Sequence, residues 1–416
     1  MHVILVTMGT DGDVFPYVGL GATLRSRGHR VTFAGPEPYH AMTLQNGLQF
    51  SCLVSQTDTE EFLNSPDLWH PVKSGIHAAR WGARLIRNQY EVLEQLAADE
   101  DTLLVSNAGI VASRLVQEKF RRTMATMLLQ PGLLPSVFEP PVMPVVPIPT
   151  WMPRWQRHGY WRMVDVAGGI LIGRSLNCIR KSLGLPPVHR FFRWWLSPQL
   201  IIGMFPSWYA APQPDWPQQL RLVGFPQFDG GTKLNLPNDL VEFCASRAPP
   251  IAFTMGTGMM HGTDFYREAV EACSSLNRRG ILLTRYTEQL PNSLPSFIRH
   301  VSFASFQQLF PLCSVIVHHG GIGTTARAMA AGKPQVVLPL AWDQPDNSAR
   351  ICRLGAGTKL TIRHRNASQL AAAIAEQLTP EMQTRCSAMV NLFGESNPFE
   401  LASDLLEKLH RCDFNV

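Results

Sequence analysis

The segment from Val317 to Thr325, VHHGGIGTT, joins two adjacent histidines to three glycines and two threonines. The β-branched run at residues 314–318 predicts a strand, and the alanine-rich run at 324–331 predicts a helix. Glycines in a strand-to-helix turn leave the first N–H groups of the helix unpaired, and these groups and the helix dipole favour an anion. The segment therefore predicts a binding site for a phosphate group.

Other chemistries fit this segment less well. A P-loop requires Gly-Lys followed by Ser or Thr, and the spacing of Gly320, Gly321 and Gly323 does not match the GxGxxG fingerprint. Neighbouring residues on a strand point to opposite faces, so His318 and His319 do not easily hold one metal ion. One histidine is expected to face the turn and the other the sheet. A tight glycine turn with a buried histidine bonded to the backbone is the plainer alternative, and it stays open here.

Length and composition indicate an ordinary two-domain globular protein. The chain has 416 residues, 45% of them hydrophobic and 17% charged, which is more than one compact core holds and favours two domains of roughly 200 residues. The net charge of +5 is small for this length, so a nucleic-acid partner is not expected. A small positive charge is still compatible with mild attraction to anionic ligands or with peripheral contact with a membrane surface.

The N-terminal residues and the cysteines indicate the cellular compartment. The opening MHVILVTMGTDGD lacks a basic n-region, and no stretch approaches 18 uninterrupted apolar residues, so neither a signal peptide nor a spanning helix is expected. The eight cysteines are scattered without a CxxC pair. These features favour a reduced, cytoplasmic protein without structural zinc.

The elements that position the glycine turn repeat one pattern in both halves. In the first half we predict a strand at 2–7, a loop at 8–15, a helix at 16–27 with Pro16 in its first turn, and a strand at 30–34. In the second half we predict a strand at 250–254, a helix at 264–278 and a strand at 280–284. Such units predict an α/β fold of two Rossmann-like, doubly wound parallel sheets. The loops after Thr7, Thr254 and Val317 are expected to meet at one interdomain cleft.

These elements divide the chain as follows. We expect an N-terminal domain at 1–215, a Pro- and Gly-rich linker at 216–236 and a C-terminal domain at 237–397. A last helix at 398–416, with apolar residues at helical spacing, is expected to pack back toward the N-terminal domain.

Residues 130–193 break the repeating pattern. Eight prolines lie between Pro131 and Pro153, and several tryptophans follow. One interpretation is a loop cover with core aromatics. The other is an apolar acceptor site with adaptable walls.

Three motifs together resemble the bacterial family 1 glycosyltransferases of the GT-B fold. They are TMGTDGDVFPYVGLGATLRSRGHRVTFA at 7–34, FTMGTG at 253–258, and HHGGIGTTARAMAAGKPQVVLPLAWDQPDNSARICRLGAG at 318–357. The chain looks most like the rhamnosyltransferases of glycolipid synthesis, with vancomycin-type aglycone and sterol glycosyltransferases more distant. The resemblance covers nearly the whole chain and implies two domains facing across a cleft.

The resemblance assigns the donor diphosphate to the glycine turn. His318 becomes a structural partner, and Thr257 matches a small hydroxyl residue beside the β-phosphate. The residues that inherit contact with the diphosphate are His319, Gly321, Gly323 and Thr324.

The resemblance also implies which residues bind the donor's sugar and its nucleotide base. Asp343 and Gln344 match a pair that hydrogen-bonds sugar hydroxyls, and Ser305 and Phe306 lie at the base-binding position. Plant relatives carry a ribose-binding Glu where this chain has Arg327. That difference makes a dTDP-linked donor attractive beside a UDP-linked one.

The first loop matches the family pattern G-[H/D]-x-x-P from Gly12 to Pro16, and Asp13 is then the general base that removes the acceptor's proton. Asp11 and Asp13 form a DxD sequence, which binds a metal ion in the other large glycosyltransferase fold. There the motif ends an internal strand, whereas here it lies before a helix, so no metal is expected. Helix dipole, His319 and backbone N–H groups offer a metal-free way to stabilise the leaving diphosphate.

The predicted function is therefore a metal-independent, inverting transfer of a hexosyl group from a nucleotide sugar to an apolar or amphiphilic acceptor with a free hydroxyl. No cofactor is implied, because the nucleotide sugar is a substrate. Two alternatives stay open: a sugar-nucleotide epimerase of the same fold, and a non-catalytic sugar-nucleotide binding protein. The first needs no acceptor domain, and the second would be expected to lack Asp13 or the Asp343–Gln344 pair, which this chain keeps.

Overall fold

The computed structural model describes residues 1–144, 147–149, 151–231, 235–361 and 366–411. In the first half, the strands are β1 (His2–Val6), β2 (Arg30–Pro36), β3 (Gln49–Val54), β4 (Thr102–Ser106), β5 (Thr123–Leu128), β6 (Leu200–Gly203) and β7 (Leu220–Leu222). Within the described residues they form one parallel sheet in the order β3-β2-β1-β4-β5-β6-β7.

The second half forms a second parallel sheet. Its strands are β8 (Ile251–Thr254), β9 (Gly280–Leu283), β10 (Ile298–Val301), β11 (Val315–His318), β12 (Gln335–Val337) and β13 (Gly357–Lys359). Over the described ranges they pair in the order β10-β9-β8-β11-β12-β13.

Helices cover both faces of each sheet. Those of the first half are α1 (Asp11–Ser26), α2 (His40–Gln45), α3 (Gln56–Asn64), α4 (Lys73–Leu96), α5 (Val111–Phe120), α6 (Arg154–Leu171), α7 (Gly173–Ser182) and α8 (Phe191–Trp194). Those of the second half are α9 (Asn238–Ala245), α10 (Thr263–Ser275), α11 (Phe306–Leu309), α12 (Ile322–Ala330), α13 (Gln344–Arg353), α14 (Ala367–Gln377), α15 (Pro380–Met389) and α16 (Pro398–His410). None of the helices in the described part is long and apolar enough to cross a membrane.

The central strands are apolar on both faces because helices bury both sides of a doubly wound sheet. Every residue of β1, HVILV, is buried, and so is every residue of β8, IAFT. The strand order reverses direction between β1 and β4 in the first sheet and between β8 and β11 in the second. Ligands of such sheets bind at the carboxyl ends of the strands beside this reversal. The predicted α/β architecture of two doubly wound parallel sheets is confirmed.

Helix α1 begins earlier than the sequence indicated. The prediction started it at Pro16, but it starts at Asp11, and Pro16 lies inside it. The carboxylate of Asp13 accepts a hydrogen bond from the N–H of Thr10, the N-cap residue, at 2.9 Å. This side-chain cap stabilises a start five residues before the proline. Pro16 then removes one helical hydrogen bond without ending the helix.

Residues 130–193 contain three helices that the prediction of a loop cover missed. Trp194 and Trp195, just beyond this region, pack against the core of the first half, as the core-packing interpretation expected. Trp151 and Trp155 are instead 79% and 72% exposed. These four tryptophans therefore form a packed pair and an exposed pair.

The last helix, α16, packs on α1 and contributes Phe399, Ala402, Leu406 and Leu409 to the core around β1. Arg27 at the end of α1 forms ion pairs with Glu400, Asp404 and Glu407 of α16. Strand β7, within the segment expected as a linker, pairs with β6 and extends the first sheet.

Candidate functional site: a cleft between the two sheets

The turn after β11 is built around Gly320. Its φ is +96°, and a Cβ there would lie 2.8 Å from Cγ1 of Val337, so both its backbone conformation and its surroundings require glycine. Helix α12 follows, with Gly321 as its N-cap and no side-chain cap bond. The first N–H groups of α12 therefore point out of the turn without a side-chain partner, which suits them to bind an anion.

The structure divides the two histidines between the sheet and the turn. His318 is fully buried, and its Nδ1 accepts a hydrogen bond from the N–H of Gly320 at 3.1 Å. The proton of the neutral ring therefore lies on Nε2, which donates to Oε1 of Gln335 at 2.9 Å. Burial lowers the pKa of His318 to about 4, so the ring is neutral and holds the turn on the strand.

His319 lies against the turn and against the loop after β8. A Cβ on Gly256 would be 2.7 Å from its Cε1, and a Cβ on Gly321 would be 2.5 Å from its Nε2. The two glycines therefore leave the space that the ring fills. Its Nδ1 is buried and has no hydrogen-bond partner among the described residues. Burial, and then the neighbouring His318, lower the pKa of His319 to about 3, so the imidazole is neutral near pH 7.

The loop after β8 brings Thr257 to the same place and contacts the first half of the chain. Thr257 lines the cleft, and its carbonyl oxygen accepts a hydrogen bond from the hydroxyl of Tyr286 at 3.3 Å. A Cβ on Gly258 would be 2.8 Å from Cγ2 of Thr10. The loops after β1 and β8, which the sequence predicted would converge, are therefore in contact.

Asp13 lies in the first turn of α1, next to Thr10 and Asp11, which line the cleft. Oδ2 accepts from the N–H of Thr10 at 2.9 Å and from its hydroxyl at 3.4 Å. Within the described part of the chain, Oδ1 makes no hydrogen bond. Burial, and to a smaller extent the charge of Asp11, raise the pKa of Asp13 to about 6, against the lowering effect of the Thr10 hydrogen bonds. A carboxyl group with this pKa is a suitable proton acceptor near pH 7.

Asp11 is held by groups from both halves. The hydroxyl of Tyr39 donates to Oδ1 at 2.8 Å, and the guanidinium of Arg285 donates to Oδ2 at 2.6 Å. The carboxylate is therefore neutralised by an ion pair that crosses the cleft. In the described ranges no three His, Cys, Asp or Glu side chains are grouped so that they could hold a metal ion.

The loop after β12 carries Asp343 and Gln344. Asn347, one helical turn later, donates to Oδ2 of Asp343 at 2.6 Å and to the carbonyl of Gly320 at 2.9 Å. Burial raises the pKa of Asp343 to about 7, and the charge of Asp13 contributes to the rise. The oxygen of Gln344 accepts from the N–H groups of Leu340 and Ala341, so its amide nitrogen is the group left for a ligand.

Asn347 was missed by the sequence reasoning. It is fully buried, and besides the bonds to Asp343 and Gly320 its oxygen accepts from the hydroxyl of Tyr209 at 2.9 Å. These bonds tie the loop after β12 to the glycine turn after β11 and to the first half of the chain. The spacing of four residues after Asp343 was the available signal, because residues four apart lie on the same face of a helix.

One of the two expected base-binding residues, Ser305, belongs to a cluster around Asp229. Ser305 donates a hydrogen bond to Asp229, and Arg327 forms an ion pair with it at 2.7 Å. Phe306 stacks on Phe310 with ring centres 4.4 Å apart. Asp229 was not anticipated, because it lies about a hundred residues before Arg327 in a segment expected to be a linker.

A cavity of about 420 Å³ lies between the two halves. Its polar wall includes Thr10, Asp11, Thr257 and Arg285, and its apolar wall comes from Phe15, Pro38, Met42, Leu63 and Phe303. None of the residues that line this cavity comes from 130–193. The interpretation of that region as an apolar acceptor site therefore stays a prediction.

Two family models match the chain, one at each end. Residues 3–125 match the glycosyltransferase family 28 N-terminal domain, and residues 278–408 match the C-terminal domain of proteins like erythromycin biosynthesis protein CIII.

Similar proteins span the whole chain. The O-mycaminosyltylonolide 6-deoxyallosyltransferase of Streptomyces fradiae is 29% identical over 98% of this chain and 97% of its own length. The vancomycin aglycone glucosyltransferase of Amycolatopsis orientalis is 26% identical, covering 99% and 98%. The crystal structure of the glycosyltransferase VinC in complex with dTDP superimposes with a TM-score of 0.70 at 17% identity, covering 99% of this chain and all of that one. The chain is a glycosyltransferase of the GT-B fold, similar to macrolide and vancomycin aglycone glycosyltransferases.

Proposed function

We propose that this protein is a metal-independent, inverting glycosyltransferase with Asp13 as its general base. It transfers a hexosyl group from a dTDP- or UDP-linked sugar to a hydroxyl group of an apolar or amphiphilic small molecule. Residues 1–215 hold the acceptor and residues 237–397 hold the donor.

One observation carries the proposal: an uncapped helix N-terminus and a carboxylate with a raised pKa meet at the same cleft. The N-terminus of α12 lacks a side-chain cap, and the neutral ring of His319 lies beside it. Asp13 is close enough to Asp343 to raise its pKa, and Asp343 is tied through Asn347 to Gly320 of the phosphate turn. An anion-binding group and a proton acceptor are the two functions that sugar transfer from a nucleotide requires.

The reaction is a single displacement at the anomeric carbon. The acceptor's O–H proton passes to the free Oδ1 of Asp13 while the hydroxyl oxygen forms a bond to that carbon. The bond from the carbon to the diphosphate oxygen breaks, and its electron pair stays on the diphosphate. The N–H groups of α12 and a ring N–H of His319 stabilise the charge that develops there. Attack opposite the leaving group inverts the configuration of an α-linked donor.

The donor contacts follow from the same arrangement. Gly321, Gly323 and Thr324 surround the diphosphate, and Thr257 faces its β-phosphate. Asp343 and the amide nitrogen of Gln344 bind sugar hydroxyls.

The base and ribose lie near Ser305 and Phe306, where Asp229 and Arg327 form their ion pair. Arg327 occupies the position of the ribose-binding Glu of plant relatives, and it pairs with Asp229. This position therefore offers no carboxylate to a ribose diol. This supports a deoxyribose donor, and the similar VinC binds dTDP.

The acceptor is an apolar or amphiphilic molecule with a free hydroxyl, such as a hydroxyacyl lipid or another secondary metabolite. The apolar wall of the cleft cavity supports this, because Phe15, Met42, Leu63 and Phe303 cannot satisfy the hydroxyls of a polar sugar. The similar enzymes are named for O-mycaminosyltylonolide and the vancomycin aglycone, which also supports a secondary metabolite.

The donor is tested first by thermal unfolding with dTDP, UDP and GDP. A nucleotide that binds only the folded state raises Tm in proportion to the logarithm of its concentration over Kd. The largest rise is expected with dTDP, and it should persist in EDTA. Loss of the effect on chelation and its recovery with Mg²⁺ would contradict metal-independent binding.

The acceptor and the stereochemistry are tested with the best nucleotide sugar. A hydroxyacyl lipid, an aromatic polyketide, a sterol and a disaccharide are offered together, and an apolar acceptor is expected to be labelled. Preferential labelling of the disaccharide would contradict the apolar site. NMR of the product should show inversion, and retained configuration would remove Asp13 from the role of base.

A further inference from the structure

The outward face of α6 is apolar. Trp155, Met163, Val166 and Ile170 have exposed fractions of 72%, 65%, 59% and 73%. At 3.6 residues per turn these positions share one face of the helix, and Gly159 completes it. Trp151, one turn before the helix begins, is 79% exposed. The opposite face packs inward, where Gly168 lies against Phe192 and Trp161 donates to the carbonyl of Ser136.

This apolar stripe is continuous and not the scattered exposure that most surfaces show. It runs for about 22 Å along the helix, since each residue adds about 1.5 Å. It forms a ridge on a helix and not a groove that would receive a small ligand. A contiguous apolar patch of this kind on a protein surface indicates an interaction site.

The chain around the stripe is strongly basic. Residues 154–193 contain eight Lys or Arg residues and one acidic residue, Asp165, a net charge of +7. The whole chain carries +5, so the remaining residues together carry −2. Asp165 accepts a hydrogen bond from the N–H of Phe192. Six of the basic residues are exposed: Arg154, Arg162, Arg174, Lys181, Arg190 and Arg193.

A shallow basic cavity of about 280 Å³ lies beside the helix. Arg190, Arg193 and His189 line it, and a Cβ on Gly169 of α6 would be 4.0 Å from the carbonyl oxygen of His189. The cavity therefore adjoins the edge of the apolar stripe. Cationic side chains at the edge of an apolar ridge match the anionic headgroups and acyl chains of a lipid surface.

We propose that α6 docks the protein on an anionic lipid surface, with its apolar stripe among the headgroups and the basic residues around it facing the lipid phosphates. Tryptophan is the side chain most suited to this depth, and two of them mark the N-terminal end of the stripe. A symmetric contact between two copies of the chain is disfavoured, because it would place the same +7 segment against itself. This docking is separate from sugar transfer and does not depend on it.

The test is flotation of the purified full-length protein with vesicles of phosphatidylcholine alone or mixed with phosphatidylglycerol. Binding to the anionic vesicles is expected to exceed binding to neutral vesicles by about tenfold and to fall as salt is raised. The variant Trp155→Ser/Met163→Gln/Ile170→Ser should lose about tenfold or more of the vesicle binding. Arg162→Glu/Arg174→Glu should lose binding to anionic vesicles.

A matched control removes exposed apolar side chains elsewhere. Val241 and Leu392 are 40% and 46% exposed, and Val241→Gln/Leu392→Gln should bind vesicles like the wild type. All variants change surface residues, so equal Tm values show that the fold is kept. Three results would overturn the proposal: no wild-type binding at low salt, equal binding to neutral vesicles, or a concentration-dependent dimer that the stripe variant abolishes.

Discussion

Helices α1 and α12 both begin at the cleft, each after a central strand of its sheet. The N-terminus of α1 is closed by its own side chains, since the N–H of Thr10 donates to Asp13 and two carboxylates lie in its first turn. The N-terminus of α12 has glycine at the N-cap, no side-chain cap and no acidic residue in its first turn. The same strand-to-helix unit thus presents negative charge on one side of the cleft and unpaired N–H groups on the other.

In the proposed mechanism, this difference gives the same local structure two roles. A helix N-terminus attracts anions only while its N–H groups are free. Once Asp13 occupies that position, its carboxylate is partly buried beside Asp11 and its pKa rises to about 6. In the proposed mechanism the capped end supplies the proton acceptor, and the uncapped end binds the leaving diphosphate. Substitutions at the capped start of α1 and at the uncapped start of α12 test this comparison.

The largest effect is expected from Asp13→Asn. The asparagine oxygen still accepts from Thr10, so the helix cap remains while the base is lost. Turnover should fall roughly 100- to 10,000-fold, with dTDP affinity nearly unchanged. Steady-state transfer and calorimetric titration with dTDP measure both quantities. Near-normal transfer by this variant would show that another group is the general base. Asp11→Asn is the matched control.

His319→Ala addresses the uncapped side. Loss of a hydrogen bond to a charged phosphate should weaken nucleoside diphosphate binding by about 1.5–3 kcal/mol, roughly 10- to 150-fold. The neighbouring His318→Asn should instead lower Tm, because His318 is fully buried and bonded to Gln335. Calorimetric titration and thermal unfolding separate the two outcomes. Equal nucleotide affinity in His319→Ala and wild type would contradict the assignment of the turn.

The pH dependence of transfer follows from the raised pKa of Asp13. The base works as a carboxylate, so the rate should be constant above its pKa of about 6 and fall about tenfold per pH unit below it. This acidic limb of the pH–rate profile should disappear in Asp13→Asn. In Asp11→Asn it should move to lower pH, because a negative neighbour that raises the pKa of Asp13 is removed. A limb at the same pH in all three proteins would show that Asp13 does not control it.

The smallest effect concerns two equivalent glycines, Gly12 and Gly323, each at the second position of its helix. A Cβ on Gly323 meets nothing within 4 Å, so alanine fits the protein but intrudes where a phosphate would approach the N–H groups. Gly323→Ala should weaken dTDP binding roughly threefold to tenfold without lowering Tm. Gly12→Ala has similar free space, its nearest atom being Thr10 Oγ1 at 4.0 Å, and should leave binding unchanged. A comparable loss in both variants would remove the distinction between the helices.

The sequence determined the features that local patterns encode. Short apolar runs set the strands, and the glycines at 320, 321 and 323 predicted the turn before α12, because only local backbone geometry was needed. The repeated strand–helix–strand pattern was enough to predict two parallel sheets with their ligand site at the carboxyl ends. The predicted GT-B fold and glycosyltransferase activity are confirmed, whereas the closer likeness to glycolipid rhamnosyltransferases stays a prediction.

The tertiary structure alone decided which distant side chains meet. The pairing of Asp229 with Arg327, the bonds of Asn347 to Tyr209 and Gly320, and the ion pair of Asp11 with Arg285 join segments far apart in the chain. The burial of Trp194 and the exposure of Trp155 also depend on how α6 and α8 pack. Residue type and spacing do not record such contacts, because they form only when whole elements fold onto one another and bury different faces.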